Sequence, residues 1–183
     1  MAAPKRICFY GGPGLGKSTI GARLFADLKQ TGLRVEYAIE HVKNWTFIDR
    51  HIDEWDQPYL LGRQIQYSHY PLQKGADLVV EESPPELNAW YAEYFGMKCA
   101  ETLMDIAWEY SKVYDTLHIM LQREDSFYDS FGRFQDINDA KEIDKSVEKM
   151  LIRRLGTSNF WVANPKDYDL LLQDIKDVLK LKR

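Results

Sequence analysis

Eight residues near the amino terminus, Gly11-Gly12-Pro13-Gly14-Leu15-Gly16-Lys17-Ser18, match the pattern G-x-x-x-x-G-K-[ST] of a phosphate-binding loop. They follow the apolar run Ile7-Cys8-Phe9-Tyr10 and lead into a helical pattern, which is the order of strand, loop and helix that such a site requires. Glycines let successive backbone amides point at phosphate oxygens, Lys17 brings a positive charge to the β- and γ-phosphates, and Ser18 offers a hydroxyl to Mg²⁺. The motif therefore predicts a site for a nucleoside triphosphate and Mg²⁺, formed by Gly12, Pro13, Gly14, Leu15, Gly16, Lys17, Ser18 and Thr19. We take the nucleotide to be ATP, and the sequence leaves the choice between ATP and GTP open.

Acidic side chains follow two other predicted strands, at the points where those strands end. Glu81 and Glu82 come directly after an apolar run, and Glu40 follows Ile39. Ligands of open α/β sheets bind at the carboxyl ends of the strands, so these acids are expected beside the phosphate loop. Glu82, with Glu81 second, is a candidate to hold Mg²⁺ or to orient a nucleophile, and Glu40 is a candidate general base. The alternative for Glu81 and Glu82 is a pair of solvated acids, and the alternative for Glu40 is a surface salt bridge. The sequence leaves open which of the three carboxylates is the base.

Two arginines bracket a polar, aromatic segment after the fourth predicted strand. Arg123 comes directly after that strand, and Arg133 lies within Phe131-Gly132-Arg133-Phe134. We expect residues 123–136 to form a lid that excludes water and brings guanidinium charge to the transferred phosphoryl group. Arg133 is the first candidate for this role and Arg123 the second. Ion pairs with nearby acids, Asp125, Asp129 or Asp136, are the alternative.

Aromatic and amide side chains are concentrated after the second predicted strand. Ring faces can stack on a nucleobase and amide groups can bind its edge, so we expect a base-binding pocket there. Packing in the core is the alternative for any one ring. His41 is expected to be packed or solvated, and Ser83 to cap the next helix in a capping box. The candidate substrate-binding residues are Trp45, Trp55, Gln57, Tyr59, Arg63 and Gln64.

Apolar runs alternate with helical patterns along the chain, which predicts an α/β fold whose parallel sheet is covered by helices on both faces. We find no internal repeat or linker and expect one domain over residues 1–183. After the first strand at 7–10, strands are predicted at 33–39, 76–81, 117–121 and 160–163. Helices are predicted at 17–30, 53–73, 86–95, 98–114, 138–155 and 167–181.

The composition excludes several classes of protein. With 45% hydrophobic residues the 183-residue chain is not disordered, and its formal charge of −4 gives no global basic field for nucleic acid or a membrane. No apolar run is long enough to span a bilayer, and Cys8 and Cys99 suit reduced thiols better than a disulfide or a metal site. We therefore expect a soluble cytoplasmic protein without a membrane partner. The oligomeric state, a homo-oligomer included, is left open.

Taken together, these stretches resemble the P-loop nucleoside and nucleotide kinases, and more closely small phage-encoded P-loop kinases such as the 5-hydroxymethyluracil DNA kinases. The resemblance rests on the phosphate loop, the segment from Glu40 to Trp45, the acids at Glu81-Glu82, and the arginines at 123 and 133. It implies a three-layer fold with strand order 2-3-1-4-5, a base-binding helix after strand two and a lid after strand four. It also implies a carboxylate at Glu82 and a catalytic segment beginning at Glu40. Those kinases have proline and arginine where this chain has His41 and Ser83.

The resemblance favours a kinase that transfers the γ-phosphoryl group of Mg·ATP to a nucleoside-type hydroxyl. The sharpest version has the 5-hydroxymethyl group of a modified uracil in DNA as acceptor, and a free deoxynucleoside or nucleoside monophosphate is the close alternative. A regulatory P-loop NTPase is the alternative from another class. A GTP switch would carry a guanine-reading Asn-Lys-x-Asp, which Asn164-Pro165-Lys166-Asp167 imitates with proline in the place of lysine.

Overall fold

The computed structural model describes residues 3–124 and 136–181. Five parallel strands form one sheet in the order β2-β3-β1-β4-β5, as the resemblance implied. The strands are β1 (Arg6–Tyr10), β2 (Val35–Ala38), β3 (Leu78–Glu81), β4 (Thr116–Leu121) and β5 (Trp161–Ala163). The helices are α1 (Lys17–Lys29), α2 (Lys43–Thr46), α3 (Asp56–Gln73), α4 (Pro85–Tyr94), α5 (Ala100–Ser111), α6 (Ile137–Leu155) and α7 (Tyr168–Val178), the last preceded by a 3₁₀ turn at Pro165–Asp167.

Every residue of β1 is buried, because helices cover both faces of the sheet. Side chains alternate between the two faces, so Ile7 and Phe9 pack into one core cluster and Cys8 and Tyr10 into the other. The first cluster includes Leu24 of α1 and Ile175 of α7, and the second includes residues of α4, α5 and α6, among them Trp90, Met104 and Val147. This arrangement confirms the predicted α/β fold with three layers. In the described part of the chain, no helix has both the length and the apolar character needed to cross a bilayer.

Most element boundaries lie within a few residues of their predicted positions, and two local features differ. The segment after β2 contains a helical turn, α2, that the sequence did not predict. The predicted capping box at Ser83 is wrong: the N-cap residue of α4 is Pro84, and no side chain caps the helix. Glu86, the expected partner in that box, binds Arg6 instead. Ser83 is therefore available to the pocket described below.

Arg6 lies in the core with no exposed surface and binds two carboxylates that are equally buried. Its guanidinium nitrogens lie 2.5 and 3.2 Å from the Glu81 carboxylate, and 3.0 and 3.2 Å from that of Glu86. Burial raises the pKa of the Glu81 carboxyl; for Glu86, burial acts in the same direction, but the Arg6 guanidinium outweighs it and lowers the pKa. Glu81, the second candidate at the strand end, is thus a fully buried residue of β3 whose carboxylate is bound to Arg6.

Two helical glycines provide a matched test of packing. An added Cβ at Gly62 of α3 would meet no atom within 4 Å, whereas at Gly21 of α1 it would lie 2.9 Å from the Tyr37 ring. We expect Gly62→Ala to raise the free energy of unfolding by about 0.5–1 kcal/mol, because alanine favours the helix. Gly21→Ala should lower it, because the ring must move. Urea denaturation checks both, and equal effects of the two substitutions would contradict this packing.

A buried histidine makes the stability of the fold depend on pH. His118 of β4 is 5% exposed, and its Nδ1 lies 2.8 Å from the Tyr10 hydroxyl. Burial lowers the pKa of His118 to about 4, and the neighbouring Glu86 carboxylate opposes this shift only in part. An unfolded histidine binds a proton near pH 6.5, so between that pH and about pH 4 protons favour the unfolded chain.

We therefore expect the free energy of unfolding to fall by up to about 3 kcal/mol from this one group as the pH decreases through that interval. Urea denaturation at a series of pH values measures the slope. His118→Gln should reduce the slope, and His51→Gln, at an exposed position, is the matched control. Identical slopes in wild type and His118→Gln would refute this account.

Candidate functional site

The phosphate-binding motif forms the turn between β1 and α1. Gly11, Gly14 and Gly16 have φ angles of 132°, 73° and 86°, a region of backbone conformation that side chains with a Cβ rarely adopt. Gly16 is the N-cap residue of α1, so the turn ends at the positive end of that helix. Backbone amides and the helix dipole together make this position suitable for phosphate groups.

Lys17 is the first residue of α1, and its ammonium group lies back over the loop. Its Nζ donates to the carbonyl oxygens of Gly11 and Gly12 at 2.7 and 2.8 Å. The side chain is half-buried and also lines the neighbouring pocket. The cation is therefore held at the loop itself.

Glu82 follows β3 and connects the end of β2 to the first turn of α1. One carboxylate oxygen accepts the backbone amide of Glu40 at 2.7 Å, and the other lies 2.9 Å from the Tyr37 hydroxyl. That hydroxyl is also 3.1 Å from the Ser18 carbonyl oxygen. Burial and then the Glu82 carboxylate raise the pKa of Tyr37 well above its ordinary value, so the phenol keeps its proton. Glu82 thus lies beside the phosphate loop and fixes the backbone of Glu40.

A pocket opens next to Lys17 and Ser18, between the segment that follows β2 and helices α3 and α4. Glu40 lines it near the phosphate loop. Trp45 lies further along, with its ring nearly parallel to that of Tyr59 at a centroid distance of 6.4 Å and the Arg50 guanidinium 3.7 Å from the indole centroid. Further residues that line it are His41, Gln57, Leu60, Gln64, Ser83, Asn88, Tyr91 and Phe95.

Two amide side chains of this pocket carry buried oxygens that have no hydrogen-bond partner in the described part of the chain, Gln57 Oε1 and Asn88 Oδ1. Gln57 is only 1% exposed, and burying such an oxygen without a partner costs about 1–3 kcal/mol. Gln64, by contrast, donates to the Ile39 carbonyl oxygen at 3.2 Å and so joins α3 to the end of β2. Both residues line the pocket, so two acceptor atoms without a partner belong to its walls.

The structure brings together some of the candidate base-binding residues and not others. Trp45, Gln57 and Gln64 line the pocket, whereas Trp55 is 73% exposed and does not line it. Trp55 comes directly before α3, and its role in binding substrate stays a prediction. Tyr59 is not among the lining residues, and its ring lies nearly parallel to that of Trp45. Arg63 donates to Gln66 Oε1 at 2.8 Å and flanks the pocket without lining it.

His41 is packed among aromatic rings, as expected. Its Nδ1 lies 2.9 Å from the Tyr67 hydroxyl, and its ring contacts those of Trp45 and Tyr59 edge-on. Burial and then the Arg63 guanidinium lower the pKa of His41. The imidazole is therefore neutral at pH 7 and orients the rings beside it.

Sequence reasoning missed Ser83, Asn88 and Arg50. Ser83 was interpreted as a helix cap, and Asn88 is one amide within an otherwise apolar helical pattern. Their position in the chain could have indicated them. Ser83 and Asn88 follow the acids at the end of β3, and β3 is a direct neighbour of β1, the strand that leads into the phosphate loop. Arg50 lies in a segment without periodicity and carried no signal of its own.

Arg123 lies at the phosphate loop, where its side chain is bound by other groups of the protein. Its side chain is 5% exposed and pairs with Asp144 of α6 at 2.6 Å, and its Nη2 donates to the Pro13 carbonyl oxygen at 2.7 Å. The alternative expectation, an ion pair with Asp125, Asp129 or Asp136, named the right interaction but not the partner that the structure shows. Arg133 and nearly all of the predicted lid lie outside the described residues.

The segment that imitates a guanine-reading motif is occupied by contacts within the protein. Asn164 Nδ2 donates to Glu124 Oε1 at 2.6 Å, and Asn164 Oδ1 accepts the backbone amide of Lys166 at 2.9 Å. The Lys166 ammonium group also pairs with Glu124. Both ends of the Asn164 amide are thus engaged, which does not favour a GTP switch.

The residues at the loop suit a nucleotide-bound Mg²⁺ better than a metal held by protein alone. Within residues 3–124 and 136–181, no group of three or more His, Cys, Asp or Glu side chains could hold an ion. Mg²⁺ is usually bound through one or two protein oxygens together with phosphates and water. Ser18 at the start of α1 and the carboxylate of Glu82 provide such oxygens, and we expect them to do so.

Comparison with known proteins agrees with this geometry. A family model described as an AAA domain matches residues 6–164, most of the chain. The chain belongs to this AAA-domain family. The match places it among the P-loop proteins and leaves the phage-encoded kinases of the earlier resemblance untested. No curated protein matches the sequence at a significant level.

Among solved structures, a NadR protein crystallised in complex with NR has the same fold, with a TM-score of 0.77 and 13% sequence identity. The match covers 98% of this chain and 52% of that one, so the chain spans about half the length of the NadR protein. At this level of identity the similarity establishes the fold alone, an α/β P-loop fold.

We expect Glu82→Gln to reduce turnover at this site strongly while leaving the fold intact. The amide keeps an oxygen for the Glu40 amide, and its N–H group can donate to the Tyr37 hydroxyl, which in turn can donate to the Ser18 carbonyl oxygen, so the fold is preserved. The substitution removes the negative charge that the site would offer to Mg²⁺, which is the reason for the expected loss of turnover. ATP turnover, with circular dichroism to check folding, is the measurement. Glu36→Gln, at an exposed position of β2, is the matched control. Full turnover in Glu82→Gln would leave Glu40 as the remaining candidate, because Glu81 is bound to Arg6.

Proposed function

We propose that the protein is a kinase that transfers the γ-phosphoryl group of Mg·ATP to a hydroxyl of a nucleoside-type acceptor. The observation that supports this most directly is that Lys17, Ser18 and Glu40 line the same pocket as Trp45 and Gln57. A phosphoryl donor at the loop and an acceptor among the aromatic and amide groups would thus occupy adjoining parts of one cavity. A regulatory NTPase needs only the first part.

In this proposal each side chain has a role that its surroundings support. Lys17 and the loop amides stabilise the charge of the phosphoryl group, and Ser18 and Glu82 would hold Mg²⁺, which would neutralise charge on the phosphates. Glu40 takes the proton of the acceptor hydroxyl as its oxygen bonds to phosphorus and the bond to the β-phosphate oxygen breaks, leaving ADP. Glu82 holds the Glu40 backbone and so positions the base.

The acceptor end of the pocket fits a planar, polar group. The Trp45 indole lines it together with the Arg50 guanidinium, 3.7 Å from the ring centroid, and Gln57 and Asn88 would turn their unpaired oxygens to the donors of a bound group. The fold neighbour NadR was solved with NR, which is nicotinamide riboside, a nucleoside-type compound. This supports a free nucleoside as the first acceptor to test, ahead of the 5-hydroxymethyl group of a modified uracil in DNA, which has no comparable structural observation behind it.

The test is incubation with γ-labelled ATP and Mg²⁺ and a panel of acceptors, followed by chromatographic separation of the products. The panel contains nicotinamide riboside, deoxynucleosides, nucleoside monophosphates and DNA with 5-hydroxymethyluracil. We expect label on a nucleoside-type acceptor and a loss of about 10²–10⁴-fold in rate in Glu40→Gln, because proton transfer is removed. Lys17→Ala should abolish transfer, and Glu36→Gln should behave as wild type. Label that appears only as free phosphate with every acceptor would refute the kinase and favour the NTPase.

A further inference from the structure

The phosphate loop is held from outside by a carboxylate of α6. Asp144 Oδ1 accepts the backbone amide of Gly12 at 2.6 Å, and Asp144 Oδ2 accepts from Arg123 Nε at 2.6 Å. Arg123 completes the arrangement with its bond to the Pro13 carbonyl oxygen at 2.7 Å. Two successive residues of the loop are thus bound to one buried ion pair, with Asp144 13% and Arg123 5% exposed at their side chains.

The contact with α6 is close because Gly12 has no side chain. A Cβ at this position would lie 2.8 Å from both the Ala140 carbonyl oxygen and Asp144 Oδ1, and 3.0 Å from the Ile143 side chain. Real Cβ atoms essentially never approach so closely, so any other residue would push the loop and the helix apart. The glycine at this position is required by packing against α6, since its φ is not among the positive values.

The same residue connects this ion pair to the cation of the motif. Gly12 gives its amide to Asp144 and its carbonyl oxygen to Lys17 Nζ. A shift of Gly12 would therefore move the acceptor that orients the lysine. Fixing a loop in advance reduces the entropy lost when it closes around a ligand, which increases affinity.

We infer that Asp144, together with Arg123, is a positioning residue that holds the phosphate loop in its nucleotide-binding geometry. The pair acts through the backbone of Gly12 and Pro13 and sets the affinity for the triphosphate and the placement of Lys17. The inference rests on the nucleotide-binding half of the proposed function and not on the identity of the acceptor. It replaces the role at the transferred phosphoryl group that the sequence suggested for Arg123.

Isothermal titration of Mg·ATP into the full chain tests this directly. We expect Asp144→Ala to raise the Kd by about 10- to 100-fold, as for loss of a charge-assisted hydrogen bond. Asp144→Asn keeps an oxygen for the Gly12 amide and should have a smaller effect. Glu142→Ala, an exposed acid on the same helix, is the matched control and should bind as wild type.

A double-mutant cycle separates positioning from general destabilisation. Losses in Arg123→Ala and Asp144→Ala should be far from additive, because each removes the same pair. Amide hydrogen exchange of residues 11–18 should accelerate in Asp144→Ala and Asp144→Asn, with the KM for ATP raised and the KM for the acceptor unchanged. If the alanine variants do not fold, Asp144→Asn and Arg123→Lys carry the same measurements.

An unchanged Kd in Asp144→Ala, or strictly additive losses, would overturn the inference. So would a loss of stability in Asp144→Asn without any change in ATP binding or loop exchange. A wild-type protein that binds Mg·ATP but phosphorylates no acceptor would refute the proposed kinase and leave this inference standing.

Discussion

A guanidinium group without access to water fixes the part of the fold that carries the acids of the site. Arg6 binds Glu81 at the end of β3 and Glu86 in the first turn of α4, so both ends of the segment between them are attached to one buried charge. Removing one partner from such a cluster leaves an uncompensated charge in the core, which is strongly unfavourable. Glu82 and Ser83 lie within this segment, and their positions follow from the arrangement of Arg6 beneath them.

Three side chains, one of them in that segment, position the loops of the site by single hydrogen bonds to backbone groups. Glu82 holds the amide of Glu40, Gln64 holds the carbonyl oxygen of Ile39, and Asp144 holds the amide of Gly12. Each side chain comes from a different element of the fold, and each backbone group belongs to a loop at the carboxyl edge of the sheet. The loops are irregular, yet their geometry is determined by rigid helices and strands, which is where precise sites are usually built.

The sequence was informative where a residue type at a given position is compatible with few local structures. The glycines and lysine of the phosphate loop predicted their own conformation, and the alternation of apolar runs predicted the sheet, because both depend on local rules. Glu81 and Glu82 look alike in sequence, but the pleat places adjacent residues on opposite faces, and only the buried Arg6 decides which of them enters the core. Ser83 had the local pattern of a cap, and tertiary contacts of Glu86 overrode it. Arg123 found a partner 21 residues away, beyond the reach of any local pattern.

The ammonium group of Lys17 already has two partners, the carbonyl oxygens of Gly11 and Gly12. On the proposed function, a triphosphate competes with these carbonyl oxygens for the Lys17 ammonium group. Its phosphate oxygens then replace hydrogen bonds that already exist, so the net gain is small, as it is when folding replaces bonds to water by bonds within the protein. The heat released on binding should accordingly be smaller than the number of new polar contacts suggests. On the proposed function, an anion with several adjacent charges is the ligand best suited to compete with these two dipoles of the loop.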